Sequence, residues 1–204
     1  MKKYIIVVLA IIFFGAAALF YLKDNQILRI GGGNKEVPQG SQQDNLGGEI
    51  NEGILETDEF SLMIPEGWEK SVNPPMGSKA MVVNVNEEPA SLALQQMGFK
   101  TYFSVGSDSL DGMSLDEYIG LAKEEIAKID SGVVFSQENQ VDINGMDSRA
   151  MEIDMSQQGI DFKVLMVVME KEGDAWGMSF NTVKEKWSDY RELFTQVVYS
   201  FQLK

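Results

Sequence analysis

Chemistry in this chain has to come from carboxylates, hydroxyls, amines and thioethers, so their spacing is the first thing to read. Asp108, Asp111, Asp116 and Glu117 crowd into the segment GSDSLDGMSLDEY. Clustered carboxylates can ligate Ca²⁺, but the D-x-[DN]-x-[DN]-G spacing of an EF-hand loop is absent. A solvated loop running into a helix cap accounts for the same residues. Asp116 and Glu117 fall within that cap, which leaves Asp108 and Asp111 as candidate ligand- or partner-binding residues. Trp68 is a third candidate: in the turn Pro65-Glu66-Gly67-Trp68 its indole could serve as a stacking platform, or it could cap the core.

Other chemistries are less well marked. Twelve methionines include Met151, Met155, Met166, Met169 and Met178, and thioethers can hold Cu(I). All five fall at core-facing strand positions, where methionine serves as a gap filler. Glu152 and Asp154 could form the carboxylate pair of a hydrolase, yet nothing distinguishes them from the outer face of a strand. No Ser-x-x-Lys stands at a convincing helix start. Gly31-Gly32-Gly33 lacks the spacing of a phosphate-binding loop, with no strong strand before it and no helix after it.

What is missing narrows the field further. The 204 residues contain no Cys and no His. That removes disulfides, thiol nucleophiles, thiolate metal sites, the commonest general base and the commonest transition-metal ligand. With 17 Lys+Arg against 31 Asp+Glu, the net charge of −14 argues against nucleic acid as a partner. No cofactor is expected. The hydrophobic share of 44% is ordinary for a globular protein and too high for a disordered chain.

The elements that must position these residues begin at Asp58. Strands are expected at 60–64, 80–86, 99–105, 133–137, 140–143, 148–155, 161–170 and 175–181. In the third, Phe99, Thr101, Phe103 and Val105 share one face. Ser114 opens a helix with a capping box, Glu117 standing three residues on, and Leu115, Tyr118, Ile119, Ala122, Ile126 and Ile129 recur at helical spacing. Asn144-Gly145 marks a hairpin. Segment 161–170, DFKVLMVVME, is apolar on both faces and reads as a central strand. A last helix is expected from about Thr182, with the stripe Trp187, Tyr190, Phe194, Val197, Val198 and Phe201. Short connections make the strands antiparallel, so the fold class is α+β, a sheet covered by helices.

Ahead of that domain lie two other segments. Lys2-Lys3 precede an uncharged run, Tyr4 to Leu22, that spans roughly 28 Å as a helix, close to the hydrocarbon thickness of a bilayer. Residues 1–23 therefore read as a transmembrane anchor, with a cytoplasmic N-terminus and the domain outside. The competing reading is a signal peptide cleaved near Ala16-Ala17-Ala18. Residues 24–57, rich in Gly, Gln, Asn and Glu, read as a flexible linker.

The opening Phe60-Ser61-Leu62-Met63-Ile64-Pro65-Glu66-Gly67-Trp68 is similar to the F-x-φ-x-φ-P-x-G-W opening of PsbP-like domains. The helix after several strands, the Asn144-Gly145 hairpin with Arg149-Ala150, the long apolar strand and the terminal helix ending at Ser200-Phe201 resemble the same superfamily. The resemblance covers 58–204. It implies an antiparallel sheet sandwiched by helices in an exported or lumenal protein, and no reaction. Any metal role that depends on His is absent from this chain.

These readings combine into one expectation. The chain is a single-pass membrane protein held in the bilayer by residues 4–22, with an extracytoplasmic, non-catalytic binding or assembly domain. Residues 58–204 hold 12 Lys+Arg and 25 Asp+Glu, so the partner expected is a protein, and a basic one. The alternatives are a carboxylate hydrolase and a small-ligand binding protein with a pocket between sheet and helix.

Overall fold

The structure is a computed structural model that describes residues 50–204, apart from residues 52, 73, 76 and 137. The expected membrane span and most of the expected linker lie outside the described residues. Among those that are described, no helix is long and apolar enough to cross a membrane.

The chain opens with β1 (Ile50–Asn51), β2 (Ile54–Glu56), β3 (Phe60–Met63), β4 (Trp68–Lys70) and β5 (Ala80–Asn84). A short helix α1 (Leu92–Met97) leads into β6 (Tyr102–Ser109) and the long helix α2 (Leu115–Ile129). Then come β7 (Val134–Phe135), β8 (Asn139–Ile143), β9 (Met146–Gln157), β10 (Ile160–Lys171) and β11 (Asp174–Val183). One 3₁₀ turn, Lys184–Lys186, precedes α3 (Trp187–Ser200), and β12 (Gln202–Leu203) closes the domain.

All pairings are antiparallel. The main sheet runs β4-β5-β6-β11-β10-β9, with β7 and β8 both on the far side of β9, and a small sheet runs β1-β2-β3-β12. Strand β10 is central, as its two-faced apolar pattern requires. Val164, Met166 and Val168 pack under α2 with Leu115, Ile119 and Ile126, while Val167 and Met169 pack with Phe194 and Val197 of α3. The fold is thus α+β, with α2 on one face of the main sheet and α3 on the other. Burial of an α3 stripe of large apolar side chains supplies roughly 10 kcal/mol of gross driving force.

Several local expectations hold. Ser114 and Glu117 form the reciprocal capping box of α2, and Asp116 adds a second carboxylate at the positive end of its dipole. Asn144 and Gly145 turn the β8–β9 hairpin with φ of 53° and 82°, the left-handed pair a tight turn demands. Met151, Met166, Met169 and Met178 are buried in the core and Met155 packs partly buried against it.

Three readings need correction. The domain starts before residue 58: Leu55 on β2 is fully buried and β2 pairs with β3, so the last residues of the expected linker are sheet. Helix α3 starts at Trp187, not near Thr182. The β10–β11 ladder carries Thr182 opposite Lys163, and the Thr182 hydroxyl is engaged with the Thr101 hydroxyl at 2.9 Å, so it is not free to cap a helix. Phe99 precedes β6 and packs against Phe162 and Tyr102, away from Phe103 and Val105. Tyr102 and Ser104 lie on the opposite face of β6 from Phe103 and Val105, and both are buried, because helices cover the sheet on each side. Helix α1, which the sequence reading missed, has its own signals in the Ser91 cap and the left-handed Gly98, but six residues are too few to show a period.

Candidate functional site

Asp108 and Asp111 come together at one rim of the main sheet, where β6 ends and the β10–β11 hairpin turns. Asp108 sits on β6 opposite Ala175, and Leu110 donates its N–H to the Gly173 carbonyl at 2.9 Å, which holds the β6 exit against the hairpin tip. Asp111 takes a left-handed φ of 49° just before Gly112, accepts from the Ser109 hydroxyl at 2.8 Å and returns its own N–H to that oxygen. Asp174, at the start of β11, is the third member. The Asp108 carboxyl is pushed above the usual carboxylate range, first by burial and then by the neighbouring charges of Asp111 and Asp174. The Tyr118 hydroxyl of α2 sits beside it, and burial pushes that phenol up as well. One Asp108 oxygen, Oδ2, is buried without a partner.

The other two acids of the same segment do structural work. Glu117 accepts from the N–H and hydroxyl of Ser114, and those hydrogen bonds hold its carboxyl below the usual range. Asp116 accepts from Arg149 Nε at 2.9 Å, and Arg149 Nη1 also reaches Asp147 at 2.6 Å, so the guanidinium straps α2 to β9. Among the described residues no group of Asp or Glu is arranged to hold a metal ion. Nor does any of Asp108, Asp111 and Asp174 have an ion-pair partner there.

Trp68 lies elsewhere, on β4 in the α3-side core. It is 8% exposed, with its indole 5.8 Å from the Phe103 ring, 6.0 Å from Tyr190 and 6.4 Å from Phe194. The structure therefore places it as a cap on the core; no open face is left for a ligand to stack on. Gly67, at φ 78°, makes the turn that inserts it, and a Cβ there would meet the Asn86 side chain at 2.8 Å.

Glu152 and Asp154 are half-buried beneath the start of α3, not on a free outer face. Lys163 approaches Glu152 at 3.0 Å and Asp154 at 3.3 Å, the second without hydrogen-bond alignment. Arg191 reaches Glu152 at 3.1 Å, Lys184 reaches Asp154 at 3.5 Å, and the Lys163 ammonium stands 5.5 Å from the Trp187 ring. Each carboxylate of the pair is spent on cations.

One carboxylate the sequence reading passed over is the most fully engaged in the domain. The Glu87 side chain is only 6% exposed. It accepts from the Thr101 N–H, from the Thr101 hydroxyl at 2.9 Å, from Lys186 at 3.1 Å and from the Tyr190 hydroxyl at 3.1 Å. Asn84 donates to the same tyrosine oxygen at 3.0 Å. Nothing marks Glu87 locally: Lys186 and Tyr190 stand about a hundred positions along the chain, and only the folded sheet brings them to it.

No family model matches the chain, and no curated protein sequence matches it. Solved structures do. LpqN, involved in cell envelope biogenesis of Mycobacterium tuberculosis, superposes with a TM-score of 0.55 at 11% identity, covering 71% of this chain and 83% of that one. The cyanobacterial PsbP, CyanoP, from Synechocystis sp. PCC 6803 gives 0.52 at 14% identity, over 71% and 86%. A protein of unknown function from Pseudomonas aeruginosa, PA94, gives 0.51 at 16% identity, over 72% and 93%.

The fold is PsbP-like.

At these identities the likeness concerns the fold alone. The PsbP-like fold explains the opening motif in physical terms: Phe60, Leu62, Ile64 and Trp68 are all buried in the core shared with α3, so the spacing is a packing rule.

Proposed function

We propose that the chain is a membrane-anchored, extracytoplasmic, non-catalytic binding or assembly module whose acidic rim meets a basic protein partner. One observation carries the reading. Every cation of residues 58–204 except Lys70, Lys100 and Lys171 stands in an ion pair with a carboxylate of the domain, while Asp108, Asp111 and Asp174 share a rim without one. Lys100 is occupied by the Val85 carbonyl. The three rim carboxylates stand in no ion pair of the domain and remain open to a cation from outside. Such a surface steers a basic protein and repels anionic lipid headgroups.

Two further observations support the reading. The run from Tyr4 to Leu22 has the length and composition of a bilayer span. A protein of the same fold, LpqN, is involved in cell envelope biogenesis. The hydrolase alternative gains nothing, since Glu152 and Asp154 are held by Lys163, Arg191 and Lys184.

The test is a pull-down from detergent extract at low and at physiological salt, with wild type and an Asp111→Asn/Asp174→Asn variant as bait. The reading expects a partner that binds wild type, is weakened by salt and is lost with the variant. Capture of nothing above background, or equal capture by both baits, would overturn it.

A further inference from the structure

The face of the main sheet under α1 and α2 carries a patch that the acidic rim does not explain. Residues directly opposite on neighbouring strands share a face. One row runs Met81, Ser104, Ser179, Met166 across β5, β6, β11 and β10. The next runs Val83, Tyr102, Asn181, Val164. Four polar side chains thus form a square at the middle of the sheet, with apolar residues on both flanks. The flank on β10 belongs to the cluster under α2, and the flank on β5 belongs to the cluster under α1.

A polar square at this position is costly. Tyr102 is 4% exposed, Ser104 2%, Ser179 0% and Asn181 4%. Asn181 Nδ2 donates to Ser179 Oγ at 2.7 Å, which spends one of its protons. The Tyr102 hydroxyl and Ser104 Oγ are buried with no partner at all. Buried hydroxyls are expensive to leave unsatisfied, and two of them side by side call for a partner from outside the chain. In the row beyond Ser104 and Ser179 stand Gly106 and Gly177, so β6 and β11 contribute no side chain there. The cover on the Tyr102 side comes from α1, six residues long with Leu94 its one buried residue, and from Phe99 just after it, whose ring stands 6.2 Å from that of Tyr102.

We propose that Tyr102, Ser104, Ser179 and Asn181 floor a binding site for a small neutral molecule that joins an apolar body to a hydrogen-bond-accepting carbonyl or hydroxyl, reached by displacement of α1. The chemistry follows from the floor. No charged side chain lies in the square, so an ionic ligand would lose its hydration without compensation. The two free hydroxyls offer donors to an acceptor, and burial keeps the Tyr102 phenol protonated, since its pKa is pushed upward. Met81, Val83, Val164 and Met166 flank the polar centre with surface suited to the apolar body. This site is separate from the acidic rim, and neither reading depends on the other.

The test uses the full-length chain with cyclohexanone as a neutral probe, against cyclohexylammonium and cyclohexanecarboxylate as charged analogues of the same size. The expected result is a saturable rise in melting temperature with cyclohexanone at millimolar concentration and none with either ion. Amide NMR shifts should concentrate at Ser104, Ser179 and α1. Tyr102→Phe and Ser104→Ala remove orphan hydroxyls, so each should melt at or above wild type without probe. Each should also bind cyclohexanone roughly five-fold more weakly, the worth of one hydrogen bond. A flat wild-type response, shifts located elsewhere, equal binding of the charged analogues or unchanged binding in both variants would overturn the proposal and leave the hydroxyls to ordered water.

Discussion

Among single residues, Asp108 and Glu87 show how environment divides carboxylates that the sequence presents as equals. Asp108 is held above its ordinary pKa by burial and by Asp111 and Asp174. A raised pKa contributes stability that is full below the unfolded value and is lost as pH rises through the folded one. Asp108→Asn should therefore melt higher than wild type at pH 7, and the difference should vanish below the ordinary carboxylate range. A melting-temperature series from pH 3 to 8 on both proteins reads it directly. Glu87 is the opposite case: four donors converge on it. Glu87→Ala would remove the carboxylate that Lys186, Tyr190 and Thr101 share in a covered site. Its cost should be about 3–5 kcal/mol in denaturant unfolding. Asp108 was recognisable from the crowding of acids around it. Glu87 was not, because its partners Thr101, Lys186 and Tyr190 are neighbours only in space.

Elements are held by contacts at their ends as much as by their apolar faces. The Asn144-Gly145 dipeptide announces a hairpin, but it does not announce that the Asn144 side chain donates to the Phe201 carbonyl at 2.7 Å and the Tyr199 carbonyl at 3.2 Å. Those bonds satisfy carbonyls at the end of α3, as helix ends require. Ser200 completes the junction: its hydroxyl accepts from the Met63 N–H at 2.8 Å and so ties α3 to the small sheet. Asn144→Ala should lose both the tolerance of a left-handed φ and the two bonds. A destabilisation of about 2 kcal/mol is expected, read from the urea midpoint. Helix α3 itself is structural. Phe194 is fully buried against Trp68, Phe180, Trp187 and Tyr190, so Phe194→Ala should cost about 3–5 kcal/mol, and truncation before Trp187 should abolish cooperative melting.

The whole molecule carries a surplus of negative charge that its internal ion pairs do not consume. Self-repulsion among exposed carboxylates opposes the compact state and is screened by salt. The melting temperature should rise between 10 mM and 300 mM NaCl; a fall would mean that the internal ion pairs outweigh the repulsion. The sequence alone determined the features that depend on neighbours along the chain. These are the α2 capping box at Ser114, the left-handed turn at Asn144-Gly145, the two-faced apolar run of β10, the α3 stripe and the acid balance. Each is a local pattern of period, turn chemistry or charge, and local patterns survive without a fold. Tertiary structure alone decided what depends on distant partners. It extended β11 through Thr182 because Lys163 and Thr101 were there to meet it. It drew Leu55 into the core and covered Trp68. It also set Tyr102 beside Ser104, Ser179 and Asn181 on one sheet face. Strand order and register bring these residues together, and no spacing along the chain encodes them.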